Sequence, residues 1–289
     1  MAAGRTLSIA YTPDSDDAFY YDALESERVV CEHRLRFYRE PIAILNRKAL
    51  EGVHDVTAVS SVVYPLIACR YAILSAGTSV GRGYGPVLIS RERKTQYDLS
   101  GARVGVGGIP STGWFLLRRF CLAALPIEMP FDLIAEAVAQ GELEAGVMIH
   151  EELLYYRRLG LHKVVDLGAA WCDAQGMPIP VGLNVIRRDL GPRVMTQVCS
   201  AIRQSLQFGL DHQEPTLRRV SRFGRGARGG CTEEFVRKFA NQDSLDMPAD
   251  VRSALAEIFR QVVEQGICAQ VPPLDIVEAV ARDVETQAA

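Results

Sequence analysis

The chain repeats itself, and that repeat limits what it can fold into. Residues 49–61 (ALEGVHDVTAVSS) line up with residues 138–150 (VAQGELEAGVMIH). Each copy reads as a helix end, a glycine stop, an acidic residue and a buried strand that ends in polar side chains. Glycine suits the left-handed turn after a helix. The pattern predicts two similar α/β lobes. Ligands of open α/β sheets sit at the carboxyl ends of strands. Two lobes facing one another therefore make a cleft, with Ser60 and His150 on opposite walls.

Short apolar runs alternate with helix-length amphipathic runs through the first two-thirds of the 289 residues, the mark of an α/β fold. Strands are expected at 7–12, 35–39, 55–60, 86–90, 102–106 and 146–150. Helices are expected from about Asp16, and at 42–50, 62–68, 112–124, 132–139 and 152–158. Beyond Gly191 the chain reads as almost entirely helical, with clear stretches at 194–210, 251–265 and 274–284. The expected division is one lobe from residues 1–98 and 190–289 and a second lobe from 99–189.

Composition removes several function classes. Net charge is −3 with 32 basic and 35 acidic residues, which gives no dense basic face for a nucleic acid. The seven cysteines are scattered without a CxxC pair, which favours reduced thiols over a disulfide framework or a zinc site. No run approaches the roughly 18 apolar residues of a membrane helix. The N-terminus has no signal-peptide pattern, so the expected compartment is the cytoplasm. No membrane partner is expected.

Three segments carry candidate chemistry. Asp14, Asp16 and Asp17 crowd the first strand–helix junction. One or two of them fit helix capping, and the cluster also fits a polar cleft wall, which makes Asp14 and Asp16 candidate substrate contacts. The matching junction of the second half, 107–114 (GGIPSTGW), sets Ser111 and Thr112 at a helix start. Such an N-terminus fits an anionic ligand as well as a plain N-cap. It lacks the lysine of a Walker A loop. The glycine-dense loop 77–86 fits a hinge, a ligand-facing loop or a simple turn. His150 ends an apolar strand, where an imidazole can take a proton near neutral pH.

The order TPDSDDAF (12–19), LNRKALEG (45–52) and DVTAVS (55–60), with GRGYGP (81–86), IHE (149–151), VVDLG (164–168), PIPVG (178–182) and IRRDL (186–190), resembles the 1,4-dihydroxy-6-naphthoate synthases of the futalosine route to menaquinone. Phe239-Ala240-Asn241 and Ser244-Leu245-Asp246 extend the resemblance into the tail. It implies a type II periplasmic-binding-protein-like fold, two α/β lobes around a cleft with a helical C-terminal part. It implies a carbon–carbon lyase that converts cyclic dehypoxanthinyl futalosine to 1,4-dihydroxy-6-naphthoate, with release of a ribose-derived fragment. His150 matches the catalytic base. Ala58, Val59 and Ser60 match the substrate-contacting segment, and Ser111 and Thr112 match the hydroxyl pair. No metal or organic cofactor is expected. The expected partner is a small aromatic carboxylate, and a homodimer is compatible with the sequence.

This chain departs from the family pattern in three places. It has Asp14-Ser15-Asp16-Asp17-Ala18 where many members have Cys-Pro-Asn-Asp-Thr, which changes the charge of one cleft wall. It has Ser111-Thr112-Gly113 where many have Thr-Thr-Ala, and the segment Gly224 to Gly230 has no counterpart. Two other readings share the fold: a non-catalytic solute-binding protein, whose signal peptide and lipidation cysteine are missing here, and a chorismate dehydratase-like enzyme, whose Tyr-Leu-Asn segment near the first strand is absent.

Overall fold

The repeat is a repeat of structure. In the computed structural model, residues 5–223 and 231–280 are described. The first run is β1 (Thr6–Tyr11), α1 (Ser15–Glu25), β2 (Arg34–Arg39), α2 (Ile42–Glu51) and β3 (Val56–Ser60). It leads through α3 (Tyr64–Ile67) to β4 (Tyr71–Leu74), β5 (Ser79–Gly81) and β6 (Val87–Ser90). The second run is β7 (Arg103–Val106), α4 (Thr112–Phe120), β8 (Leu125–Glu128), α5 (Phe131–Gln140) and β9 (Ala145–Met148). Then come α6 (Glu152–Tyr155), β10 (His162–Asp166), α7 (Leu167–Gln175) and β11 (Ile179–Arg187). The C-terminal part holds α8 (Pro192–Asp211), α9 (Gln213–Val220), α10 (Thr232–Phe239), α11 (Gln242–Leu245), α12 (Ala249–Glu264) and the short β12 (Ile276–Val277).

Both halves solve the same local problems in the same way. Gly52 at the end of α2 and Gly141 at the end of α5 are left-handed, with φ of 75° and 80°. Val53 N–H donates to the Lys48 carbonyl and Glu142 N–H to the Ala137 carbonyl, so each glycine closes its helix with the same 6→1 bond. The acidic residues of the repeat also match in role. Asp55 accepts the backbone N–H of Ser8 on β1, and Glu144 accepts that of Arg103 on β7. Each acid thus ties its turn to the first strand of its own lobe.

The sheets share one strand order. The first runs β2-β1-β3-β11-β4-β12, with β5 also on β11, and the second runs β8-β7-β9-β6-β10. In each, the first three strands are parallel, and a strand entering from the other half of the chain lies antiparallel against the third. The changeovers between sheets therefore fall at 82–86 and 167–178, not at 98 and 189 as the sequence pattern suggested. β6 pairs with β9 (Val87↔Met148) and β11 with β3 (Gly182↔Ser60). A short buried strand reads the same in either sheet, and only its pairing decides the lobe.

Other differences are local. The helix expected to Ala124 stops at Phe120, and 125–128 forms the edge strand β8 beside β7. The expected helix at 274–284 is β12, parallel to β4, as far as it is described. The segment Gly224 to Gly230 lies outside the described residues. Among the described residues no helix is long and apolar enough to cross a membrane.

Candidate active site

Most of the sequence-derived candidates, among them Asp14, Asp16, Ser60 and His150, lie at or just beyond the carboxyl end of a strand, where an open α/β sheet turns its loops toward a ligand. A cavity opens where the two lobes meet. Its wall carries Thr12, Asp16, Ser60, Ser79 and Gly182 from the first sheet's side, and Thr112, Gly113 and His150 from the second. Phe235 and Phe239 of α10, with Ile42, Leu153 and Val181, complete an apolar lining. Mainly apolar walls with a few convergent polar groups are typical of small-molecule sites.

His150 follows β9 with φ of 62°. A non-glycine residue is strained in this left-handed region, and such strain concentrates at functional positions. The backbone turn carries the imidazole out of the sheet and into the cleft. Its ring stands edge-on to Phe131 at 4.6 Å between centroids. Its Nδ1 lies 2.5 Å from Oδ2 of Asp14, which reaches across from the other lobe and is buried. A second groove, between α2 and the β8–α5 turn, also has His150 and Ile42 on its wall, so the imidazole stands between the cavity and that outer groove.

The acidic junction is the electrostatic centre of the site. Asp17 accepts from both the backbone N–H and the hydroxyl of Thr12, at 2.8 and 2.7 Å. Burial still pushes its carboxyl up to about 6. Burial, with Asp17, Asp14 and Glu151 close by, holds Asp16 well above the usual carboxylate range. Asp16 lies on the cavity wall, where it accepts from the Ser79 hydroxyl at 3.2 Å. Glu151 is buried, and its carboxyl is raised by that burial and by Asp14. It accepts from the Ser15 backbone N–H and hydroxyl at 3.2 and 2.6 Å.

The remaining candidates divide. Ser60 and Thr112 reach the cavity. Ser111 caps α4 by accepting from Trp114 N–H at 3.2 Å, and the Thr112 hydroxyl donates to the Val181 carbonyl at 2.7 Å. Ala58 and Val59 pack into the hydrophobic core on either side of the central strand and do not line the cavity. Asp14 touches the site through His150. Sequence reasoning missed Asn46, whose amide donates to Ser60 Oγ at 3.1 Å and to the Pro110 carbonyl at 3.2 Å, and accepts from Ser60 N–H at 2.9 Å. It also missed Phe235 and Phe239, which on an amphipathic helix read as ordinary core. Ser79 lies in the glycine-dense loop, where a ligand-facing role was one of three open readings.

The sequence profile of a family described as menaquinone biosynthesis matches residues 7–264. The chain belongs to that family. A 1,4-dihydroxy-6-naphthoate synthase from Thermus thermophilus is 35% identical over 268 residues, covering 93% of this chain and 98% of the relative. One from Streptomyces coelicolor is 32% identical over 274 residues, covering 93% and 96%. A crystal structure of an Archaeoglobus fulgidus protein is similar to this chain, with a TM-score of 0.87 and 35% identity, covering 91% of this chain and 98% of that one. The aliphatic sulphonate-binding protein of Escherichia coli shares the fold alone, at 12% identity and a TM-score of 0.67 over 99% and 97% of the two chains. The menaquinone-family chain is thus built on a periplasmic-binding-protein-like frame.

Proposed function

We propose that this chain is a carbon–carbon lyase that converts cyclic dehypoxanthinyl futalosine to 1,4-dihydroxy-6-naphthoate, with His150 as the proton-abstracting base. The observation that carries the reading is an imidazole forced by its backbone into a largely apolar interlobe cavity, with a carboxylate on one ring nitrogen. Taking a proton from carbon beside a carbonyl needs a base near neutral pH, fixed geometry and little water. The carboxylate on Nδ1 favours the tautomer with its proton there and leaves Nε2 the basic nitrogen. Phe235, Phe239, Leu153 and Val181 suit the flat face of a bicyclic aromatic product. The Ser60 hydroxyl accepts from Asn46, so its own proton can turn to a substrate oxygen. The start of α4 beside Thr112 and Gly113 suits the substrate carboxylate. The names of the two curated relatives support the same assignment.

Incubation with cyclic dehypoxanthinyl futalosine, read by mass spectrometry, should give 1,4-dihydroxy-6-naphthoate. A solute-binding protein would hold the compound and release it unchanged. His150→Ala should abolish turnover while circular dichroism and ligand binding stay near normal. Retention of most activity in that variant would remove His150 as the base.

A further inference from the structure

The residues that follow β1 and those that follow β9 exchange partners across the cleft. Asp14 occupies the N-cap position of α1 in an extended conformation, yet its side chain makes no capping bond to its own helix. Aspartate is among the best N-caps, so an unused cap forgoes a stabilising bond. The Asp14 carboxylate lies instead on Nδ1 of His150. The backbone N–H at the start of α1, that of Ser15, is taken by Glu151 from the opposite lobe. Glu151 thus serves the helix that Asp14 has left, and Asp14 serves the imidazole beside Glu151. Neither arrangement is needed to hold an α/β sheet together, and both put a buried carboxyl beside other acids.

We propose that Asp14 is the positioning residue of the His150 base, delivered from the facing lobe to fix the imidazole's orientation and to strengthen its hold on the abstracted proton. This rests on His150 being the base. The step itself is a simple transfer: Nε2 forms a bond to the proton, the broken C–H pair is left on the substrate, and the resulting imidazolium is balanced by the Asp14 carboxylate. A carboxylate on the far nitrogen holds the ring in one tautomer and steadies its charged form. The other charged groups around the ring are Asp16 on the cavity wall, Asp17 and Glu151, whose charges act on the imidazole, and Arg47, Glu128 and Asp132, which line the outer groove with it. They stay in place when Asp14 alone is replaced, so the difference between proteins belongs to Asp14.

The test compares wild type with Asp14→Asn, which keeps shape and removes charge. Asp14→Ser, a small neutral residue that caps helices well, answers the same question if the amide does not fold. The first readout needs no substrate. The His150 imidazole, followed by NMR, should titrate at a pH lower by roughly 1–3 units in the variant, the size of effect a close opposite charge exerts. The second readout is turnover of cyclic dehypoxanthinyl futalosine. kcat should fall roughly 10²-fold, in the range of general-base contributions, with little change in KM, and the acidic limb of the pH–rate profile should move down with the imidazole. An unchanged imidazole titration and an unchanged limb would overturn the proposal and leave Asp14 a lobe-joining side chain. If wild type makes no naphthoate while the NMR shift is present, the pairing stands and the substrate assignment falls.

Discussion

Asp17→Asn should stabilise the protein, and only above a definite pH. Both hydrogen bonds from Thr12 reach the same Asp17 oxygen, Oδ2, so an asparagine carbonyl can keep both. What the substitution removes is a charge. Burial raises the Asp17 carboxyl from 3.8 to about 6 despite those two bonds, with Asp14 adding to the rise and His150 opposing it. That rise corresponds to about 3 kcal/mol. The sign follows from proton binding: the folded state holds this proton more tightly than the unfolded state. The group is therefore harmless below the unfolded value of 3.8, and its penalty grows as pH rises through about 6. The variant should match wild type near pH 4 and exceed it by up to about 3 kcal/mol at pH 8. At roughly 2–4 °C per kcal/mol for a chain of this size, that is a melting temperature higher by roughly 6–12 °C. Urea titrations and thermal melts at pH 4, 5, 6, 7 and 8 measure it. A difference that stays constant across this range, or a variant less stable than wild type at pH 8, would refute the reasoning. It would mean that the acidic junction gains more from the imidazole and the helix start than it loses by burial.

Two further substitutions test how the lobes and the cavity are held. Asn46→Ala strands the buried backbone N–H of Ser60 and frees its hydroxyl; stability should fall by about 1–3 kcal/mol in urea titrations, and KM should rise more than kcat falls. Gly168→Ala should be worse tolerated than its size suggests, because a Cβ there would lie 2.4 Å from the Gly85 Cα. Gly85 and Gly168 sit on the two segments that pass between the sheets, so overpacking of about 1–3 kcal/mol should come with an altered cleft, seen as slower ligand association by stopped-flow fluorescence.

The halves of the molecule were legible because their punctuation is local. A glycine after a helix and an acid before a strand declare themselves within a few residues, and Gly52, Gly141, Asp55 and Glu144 do what the repeat implied. β6 and β11 were not assignable, because Val87–Ser90 and Ile179–Arg187 are apolar strands whose sheet depends on partners far along the chain. β8 was hidden for a related reason: Leu125–Glu128 has exposed and half-buried positions and follows α4 too closely to stand out. In the site, His150, Ser60, Asp16 and Thr112 were visible as polar residues at strand ends or helix starts. Asn46 and Phe239 were not visible, since an asparagine inside an amphipathic helix and a phenylalanine on its apolar face look like routine helix residues. Their roles exist only after the lobes meet.

That meeting explains why the polar groups of the site tolerate burial. Asp14, Ser15, Asn46 and Thr112 each find a partner on the opposite side of the cleft, in His150, Glu151, the Pro110 carbonyl and the Val181 carbonyl. A buried polar group without a partner costs about 1–3 kcal/mol, so parting the lobes must return these groups to water, and joining them must bring each to its mate together. The same contacts that join the lobes therefore also hold the imidazole, so under the proposed function water exclusion and the orientation of the base depend on one set of contacts. A binding protein on this frame needs only the first of these. The carboxylate on His150 Nδ1 would supply the half that the proposed chemistry needs.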